Sequence, residues 1–354
     1  MSLSHIRGGL GSSSPAARCG WLLILALLVT AFPSSVVASE SSEVDLESIF
    51  FGGREPQSLA ELQVMERHQQ ELAKKAVACT VGIIVGSAHG SGVIISPDGY
   101  VLTAAHVGGV PNRAARVVLP DGRQVRGKTL GAYRTLDAGL MKIEEPGPWP
   151  YAEMASAEEP LRIGQWCLVT GHPGGYQEGR SPVVRLGRIL LTDRFAITTD
   201  CTLVGGDSGG PLFDMEGRVI GINSRIGRLL TANMHVPINA YQETWDRLVK
   251  SEEWGHFPGT GPFIGVRGDT EAATARLAEV YPGTPAAQAG LQPGDVILKF
   301  AERVVSDFSS LQLLVNDTQP GDKVQIELRR GEQELTLELV VGQQRSPSRL
   351  ELEP

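Results

Sequence analysis

The sequence has little cysteine, no run of basic residues and no apolar stretch long enough to span a bilayer. Four cysteines occur in 354 residues, at positions 19, 79, 167 and 201. No two of them have the spacing of paired metal ligands, so no metal site is expected. Lys and Arg number 32 against 40 Asp and Glu, for a net charge of −8. Without a basic cluster the chain lacks the electrostatic footprint of a nucleic-acid binder. The longest apolar stretch, Trp21 to Phe32, has 12 residues, whereas a membrane-spanning helix needs about 20.

That short stretch has another use. Arg7 and Arg18 precede it, and Val36-Val37-Ala38 follows as a small-residue cleavage pattern. Residues 1–38 therefore read as a secretory signal peptide. The expectation is export across a membrane, with a membrane anchor as the alternative if the segment is kept. Cys19 leaves with it, and three cysteines remain in an oxidising compartment. At most one bond then forms within the chain. Cys167 with Cys201 is the pairing expected, and three buried thiols is the other reading.

A length of 354 residues fits two domains with tails. Apolar residues make up 42%, enough for a core, and 42 glycines with 22 prolines imply many turns and a mostly β structure. Residues 39–57 are polar and read as a loosely ordered lead-in. Ser58 and Glu61 make a capping-box pattern, and Leu59, Leu62, Met65 and Leu72 recur at helical spacing, so 58–76 is a predicted helix. From residue 77 short strands alternate with turns such as Pro97-Asp98-Gly99 and Pro120-Asp121-Gly122. Strands are expected at 81–85, 92–96, 116–119, 124–130, 166–171, 183–192, 196–199, 211–213 and 219–223. A helix over 239–252 closes this domain, 77–254, and Trp254 to Gly261 is a linker. Short strands with frequent turns fit two packed β-barrels better than an α/β sheet.

The chemistry concentrates in Gly205-Gly206-Asp207-Ser208-Gly209-Gly210-Pro211-Leu212. A serine in a tight glycine turn is a candidate nucleophile, because small residues let a substrate backbone approach the hydroxyl. The Gly206 and Ser208 N–H groups of such a turn can converge on a developing oxyanion. Two partners stand upstream. His106 ends Thr103-Ala104-Ala105-His106, and Asp137 begins Asp137-Ala138-Gly139-Leu140. The order His, Asp, Ser is one in which nucleophile, base and orienter occur.

These segments resemble the chymotrypsin-type serine proteases, and the wider frame resembles the HtrA (Deg) family. Gly90-Ser91-Gly92-Val93-Ile94-Ile95-Ser96-Pro97-Asp98-Gly99-Tyr100-Val101-Leu102-Thr103 is similar to that family's approach to its histidine. Gly217-Arg218-Val219-Ile220-Gly221-Ile222-Asn223-Ser224 is similar to its strand after the serine. The resemblance implies a double β-barrel with the triad His106, Asp137 and Ser208 between the barrels. It implies an oxyanion hole at Gly206 and Ser208, and Ser224 as a partner of Asp137. Thr202, six residues before Ser208, falls at the floor of the substrate pocket, with Ser224 and Arg225 at its wall. An uncharged Thr202 disfavours Lys or Arg as the residue cut after.

Residues 258–343 resemble a PDZ domain of the permuted kind found in HtrA proteases, a small α+β fold. The resemblance rests on Phe263-Ile264-Gly265-Val266, on Pro282 to Ile297, and on Pro320-Gly321-Asp322-Lys323-Val324. It implies that the Ile264, Gly265 and Val266 N–H groups hold the C-terminal carboxylate of a peptide. Leu311, Leu314 and Val315, on a helix over 309–316, would line the side-chain pocket. Residues 344–354 read as a disordered tail.

Two features depart from the family. Where HtrA proteases carry Asn-Pro-Gly-Asn, this chain has Val204-Gly205-Gly206-Asp207. In chymotrypsin-like enzymes that aspartate pairs with a new N-terminal ammonium; here the N-terminus lies far upstream, so Asp207 needs another partner. Gly86-Ser87-Ala88-His89-Gly90 is short where relatives that form cages carry an insertion, which favours a trimer or monomer. His172, in Gly171-His172-Pro173-Gly174-Gly175, reads as a turn residue. The expected function is an exported, periplasmic serine endopeptidase that degrades unfolded or damaged proteins. It would need no cofactor, bind peptide C-termini at its PDZ domain and assemble as a homotrimer or remain a monomer. The competing reading is a PDZ scaffold or holdase with an idle protease domain. A processing protease with one natural substrate is a third.

Overall fold

The computed structural model describes residues 44–227, 229, 231–257, 260–269 and 272–344. The signal segment and the tail from 345 onward lie outside the described residues. Among the described residues no helix is long and apolar enough to cross a membrane.

The lead-in is more ordered than its polarity implies. Asp45 caps a short helix α1 (Leu46–Phe50) by accepting the Ser48 N–H, and Ile49 and Phe50 are fully buried. Phe50 packs against His68, ring centroids 5.0 Å apart. Two buried apolar side chains outweigh the polar neighbours. Helix α2 (Leu59–Cys79) starts at the expected cap, where Ser58 accepts the Glu61 N–H at 3.1 Å. The reciprocal half of the capping box is replaced, because the Glu61 carboxylate takes Arg54 and the Gln57 N–H. The helix runs three residues past the expected end. Met65 and Leu72 are buried, while Leu59 and Leu62 are 71% and 49% exposed.

Six strands follow: β1 (Thr80–Val85), β2 (Ala88–Ile94), β3 (Tyr100–Ala104), β4 (Ala114–Val118), β5 (Gln124–Tyr133) and β6 (Ala138–Ile143). They pair in the order β5-β4-β1-β2-β3-β6 and close through β5–β6. Helix α3 (Ala105–Gly108) is a single turn between β3 and β4. A second closed barrel comprises β7 (Trp166–Gly171), β8 (Val183–Thr192), β9 (Ile197–Thr199), β10 (Pro211–Phe213), β11 (Val219–Arg225) and β12 (Asn233–Pro237). Strands β3, β6 and β12 were not among those expected from the sequence. They are short and carry His, Gly or polar residues that mask the alternation.

Each barrel has its own core. Val81, Ile83, Val101, Val117 and Met141 fill the first, and Val169, Ile189, Ile197, Leu212 and Ile220 the second. Between them Leu102, Leu140, Leu168, Phe213, Ile222 and Tyr241 join Phe50, Met65 and Leu72 in one cluster. The site lies where this seam reaches the surface. The helix expected over 239–252 is two short ones, α4 (Ile238–Glu243) and α5 (Trp245–Val249), broken at Thr244. Strand β13 (Glu253–Trp254) then runs parallel to β5, and Trp254 stacks on Tyr133 at 4.9 Å. The linker therefore starts one residue later than expected.

The C-terminal part is built from β14 (Gly261–Phe263), β15 (Val266–Gly268), β16 (Leu277–Val280), α6 (Pro285–Gln288), β17 (Val296–Phe300), β18 (Arg303–Val304), α7 (Phe308–Asn316), β19 (Lys323–Arg330), β20 (Gln333–Val340) and β21 (Gly342–Gln344). Four strands form the sheet β18-β17-β19-β20, and α7 buries Leu311, Leu314 and Val315 in a separate core.

Candidate active site

His106 sits in α3, directly after β3. Its Nδ1 lies 2.8 Å from Asp137 Oδ2, and its backbone N–H donates to Asp137 Oδ1 at 3.0 Å. Asp137 is buried and adopts φ 64°, a left-handed conformation that aspartate tolerates better than most residues. That turn brings both carboxylate oxygens back toward β3. Ser224, on β11, donates its hydroxyl to Asp137 Oδ2 at 2.5 Å. An ionised carboxylate only accepts, so His106 Nδ1 carries the proton and Nε2 presents a lone pair.

Glycines bring the candidate nucleophile, Ser208, toward this histidine. Gly209, at φ 86°, lies so close that a Cβ there would sit 2.1 Å from Ser91 O and 3.1 Å from Ala104 N. A Cβ at Gly90 would meet Val107 at 2.6 Å and Ser208 O at 2.9 Å. The Ser208-Gly209 backbone thus comes up against Ala104 and, across Gly90, faces Val107. The Ser208 hydroxyl has no hydrogen bond to His106 among the described residues.

Both expected oxyanion donors are aimed by their own peptide planes. In a trans peptide the C=O and the following N–H point in opposite directions. Gly205 C=O accepts the Gly174 N–H at 2.6 Å, so the Gly206 N–H faces the other way. Asp207 C=O accepts the Gly210 N–H at 2.9 Å and Asn223 Nδ2 at 3.2 Å, which orients the Ser208 N–H likewise. Neither the Gly206 nor the Ser208 N–H has a protein acceptor among the described residues. The turn is closed by Asp207 N–H to Val204 O at 3.1 Å, with Gly206 at φ 96°. A positive φ at the third residue is the signature of a type II turn. Two adjacent glycines therefore give a defined turn here.

Asp207 finds the partner its burial demands. It is fully buried, with Oδ2 3.0 Å from Arg185 Nη1 and 2.9 Å from the Val204 N–H. The arginine N–H points off the line of a hydrogen bond, so the contact is an ion pair without full directional bonding. Oδ1 has no hydrogen-bond partner among the described residues. Burial pushes the Asp207 pKa up, opposed by the Val204 N–H and Arg185. Ser91 clasps the same turn from the first barrel. Its hydroxyl donates to Gly206 O at 2.8 Å, and its N–H to Ser208 O at 2.8 Å.

This arrangement matches known proteins. Residues 90–222 fit the trypsin-like peptidase domain model and residues 262–341 the PDZ domain model. "Probable periplasmic serine endoprotease DegP-like" of Halomonas elongata is 31% identical over 268 residues, covering 72% of this chain and 56% of that protein. Its counterpart of the same name in Pseudomonas putida (strain GB-1) is 32% identical over 274 residues, with the same coverage of each. A solved structure described as HtrA-type protease AlgW with tripeptide is 27% identical. It covers 78% of this chain and 98% of its own, with TM-score 0.56. The chain carries a trypsin-like peptidase domain followed by a PDZ domain, the arrangement of its HtrA-type structural neighbours. It spans about half the length of the curated relatives it matches, 56% in both cases.

The other expected residues fall as follows. Thr202 and Arg225 are both exposed, whereas Ser224 is buried and turned to Asp137. Ile264 is buried in the core that holds Leu311, Leu314 and Val315. Gly265 has φ 83°, and a Cβ there would lie 2.3 Å from Thr284. Gly265 C=O accepts the Tyr281 N–H at 3.0 Å, and Ile264 C=O the Ala286 N–H at 2.8 Å. The Ile264 and Gly265 N–H groups have no protein acceptor among the described residues, while Val266 joins the ladder with β16. The Cys167–Cys201 bond expected from the sequence is absent. Cys79, Cys167 and Cys201 are buried thiols, with the Cys167 and Cys201 sulfurs 3.8 Å apart. Sequence reasoning missed Arg185, Ser91 as a clasp, and Asn223. Ser91 lies inside the quoted Gly-Ser-Gly motif, which was the available signal; Arg185 had none.

His172 proves to be more than a turn residue. It is buried, and neither ring nitrogen has a hydrogen-bond partner among the described residues. Burial, with a smaller push from Arg180, lowers its pKa to about 4. Its segment supports the oxyanion turn. A Cβ at Gly206 would lie 2.4 Å from His172 O and from Gly175 N.

Proposed function

We propose that this chain is an exported serine endopeptidase that cuts unfolded or damaged proteins, its PDZ domain binding peptide C-termini. The observation that carries the reading is the line Ser224–Asp137–His106 beside a serine whose turn presents two unpartnered N–H groups. Ser208 attacks the carbonyl, and His106 Nε2 takes its proton. The carbonyl electrons move to oxygen, where the Gly206 and Ser208 N–H groups hold the charge. Asp137 stabilises the imidazolium, which then protonates the leaving amine. Water repeats the sequence on the acyl-enzyme. The pocket floor at Thr202 carries no charge, which supports small or medium apolar residues before the cut, with Arg225 tuning the subsite.

The names of the relatives support a periplasmic location. The PDZ assignment supports capture of a free carboxylate by the Ile264–Val266 loop. Exposed Leu59 and Leu62 on α2 support a homotrimer through N-terminal elements, to be checked by light scattering on the purified protein.

The test uses protein from residue 39 onward and its Ser208→Ala variant. A fluorophosphonate probe should label the parent alone, because labelling needs base and oxyanion hole together. Casein hydrolysis should follow the same pattern and increase on adding a short peptide with an apolar C-terminus. A folded parent that neither labels nor hydrolyses would overturn the reading in favour of an idle scaffold. Hydrolysis indifferent to the peptide would leave the peptidase and remove the regulatory role of the PDZ domain.

A further inference from the structure

Behind the nucleophile lies a buried polar line that the catalytic sequence does not use. His235, on β12, is 1% exposed, and Asn223 and Thr199 are fully buried. His235 Nε2 lies 2.8 Å from Thr199 Oγ1, and Nδ1 lies 2.9 Å from Asn223 Oδ1. Asn223 Nδ2 lies 3.1 Å from Thr170 O and 3.2 Å from Asp207 O.

The proton positions follow from chemistry alone. Both backbone carbonyls only accept, so the nitrogen of the Asn223 amide must face them and its oxygen must face His235. An oxygen acceptor there requires a proton on His235 Nδ1. Nε2 is then the lone-pair nitrogen and accepts the Thr199 hydroxyl. The imidazole is neutral, and burial keeps its pKa at about 3. Each polar atom along the line has a partner, which a buried network needs in order to be rigid.

The line ends on the peptide that matters. Asp207 C=O and Ser208 N–H belong to one plane, so a hold on the carbonyl is a hold on the oxyanion donor. Asn223 also bonds the turn through its backbone, accepting the Gly209 N–H at 2.7 Å and donating to Gly210 O at 2.8 Å. A Cβ at Gly210 would lie 2.3 Å from Thr170 O and 3.0 Å from Asn223 Nδ2, so the glycine leaves room for the clasp. The geometry points to His235 as a positioning residue: its Nδ1–H fixes the Asn223 amide, and the amide aims the Ser208 N–H at the oxyanion. The other tautomer would set two acceptors face to face and favour a flipped amide, with its oxygen against the two carbonyls.

This inference rests on the serine-peptidase reading above, and its test separates the two. Steady-state kinetics on a chromogenic peptide are compared for the parent, Ser208→Ala, His235→Leu, His235→Gln and His235→Asn. An Asn amide places its nitrogen near the Nδ1 position, and a Gln amide reaches only the Nε2 position. His235→Asn should keep kcat within about threefold of the parent. His235→Leu and His235→Gln should lose roughly 10- to 100-fold in kcat with KM unchanged, the scale of a small misplacement of a catalytic group. A His235→Leu variant within twofold of the parent would overturn the proposal. So would three variants that lose kcat together in step with their melting temperatures. If the variants do not fold, ¹⁵N NMR of the parent decides. Nδ1 protonated and Nε2 bare supports the line, and the reverse tautomer overturns it. Should the parent show no Ser208-dependent activity, the peptidase reading falls and the NMR result still rules on the proton positions.

Discussion

Asp207 shows how much of this site rests on single residues acting through the backbone. A fully buried carboxylate beside the nucleophile is tolerable only with a cation, and Arg185, about one-fifth exposed, supplies it at 3.0 Å. Arg185→Met should strand the carboxylate and cost about 2–3 kcal/mol of stability, the buried-pair penalty reduced for that partial exposure. Adding Asp207→Asn should return most of it. Urea unfolding of the two variants measures both numbers, and a loss under 1 kcal/mol in Arg185→Met would show that the pair does not matter. Gly206→Ala tests the turn. Its Cβ would lie 2.4 Å from His172 O and from Gly175 N, so the turn must move and take the N–H with it. A kcat lower by about 10²–10³ is expected, with fluorophosphonate labelling slowed in parallel. The three candidate catalytic residues were legible because each sits in a short motif with its own local turn. Arg185, Asn223 and His235 were not, because they reach the nucleophile across a barrel, by contacts that no spacing in the sequence encodes.

At the scale of elements, the reading succeeded where periodicity or turn chemistry was strong. Strands 166–171, 183–192 and 211–213 agree with the structure to the residue. It failed where tertiary burial overrides local polarity, and the lead-in is the clearest case. Residues 39–57 look unstructured by composition, yet Ile49 and Phe50 of α1 enter the cluster between the barrels. Phe50→Ala should therefore cost about 3–5 kcal/mol, as for an aromatic lost from a core, and should expose the segment to limited proteolysis. A loss below about 1 kcal/mol would restore the picture of a loose lead-in. Helix α2 shows the converse. Its apolar stripe read as one face, but Leu59 and Leu62 remain in solvent while Met65 and Leu72 are buried. The stripe is longer than the surface that this chain offers to cover it.

The whole molecule carries an acid sensitivity that follows from two buried histidines on either side of the nucleophile turn. His172 and His235 are neutral in the fold, with pKa values lowered by burial to about 4 and about 3. In the unfolded chain both return to about 6.5. As pH falls below that value the unfolded chain takes up protons that the fold excludes, so stability is full above pH 6.5 and is lost on the way down. Well below pH 6.5 the two groups together remove about 2–3 kcal/mol per pH unit, until His172 itself titrates near 4 and only His235 continues. Asp207 acts with the opposite sign. Its raised pKa lets the fold bind a proton more tightly than the unfolded chain, which softens the loss at the acid end. Urea unfolding at pH 7.5, 6.0, 5.0 and 4.5 should show a plateau and then this slope. His172→Leu should roughly halve the slope, because one of the two proton sinks in the unfolded chain is gone. A flat stability from pH 6.5 to 4.5 would mean that the fold admits the protons. Because both rings stay neutral in the fold down to about pH 4, the nucleophile turn keeps its geometry over this interval, and the lost stability should return in full when the pH is raised.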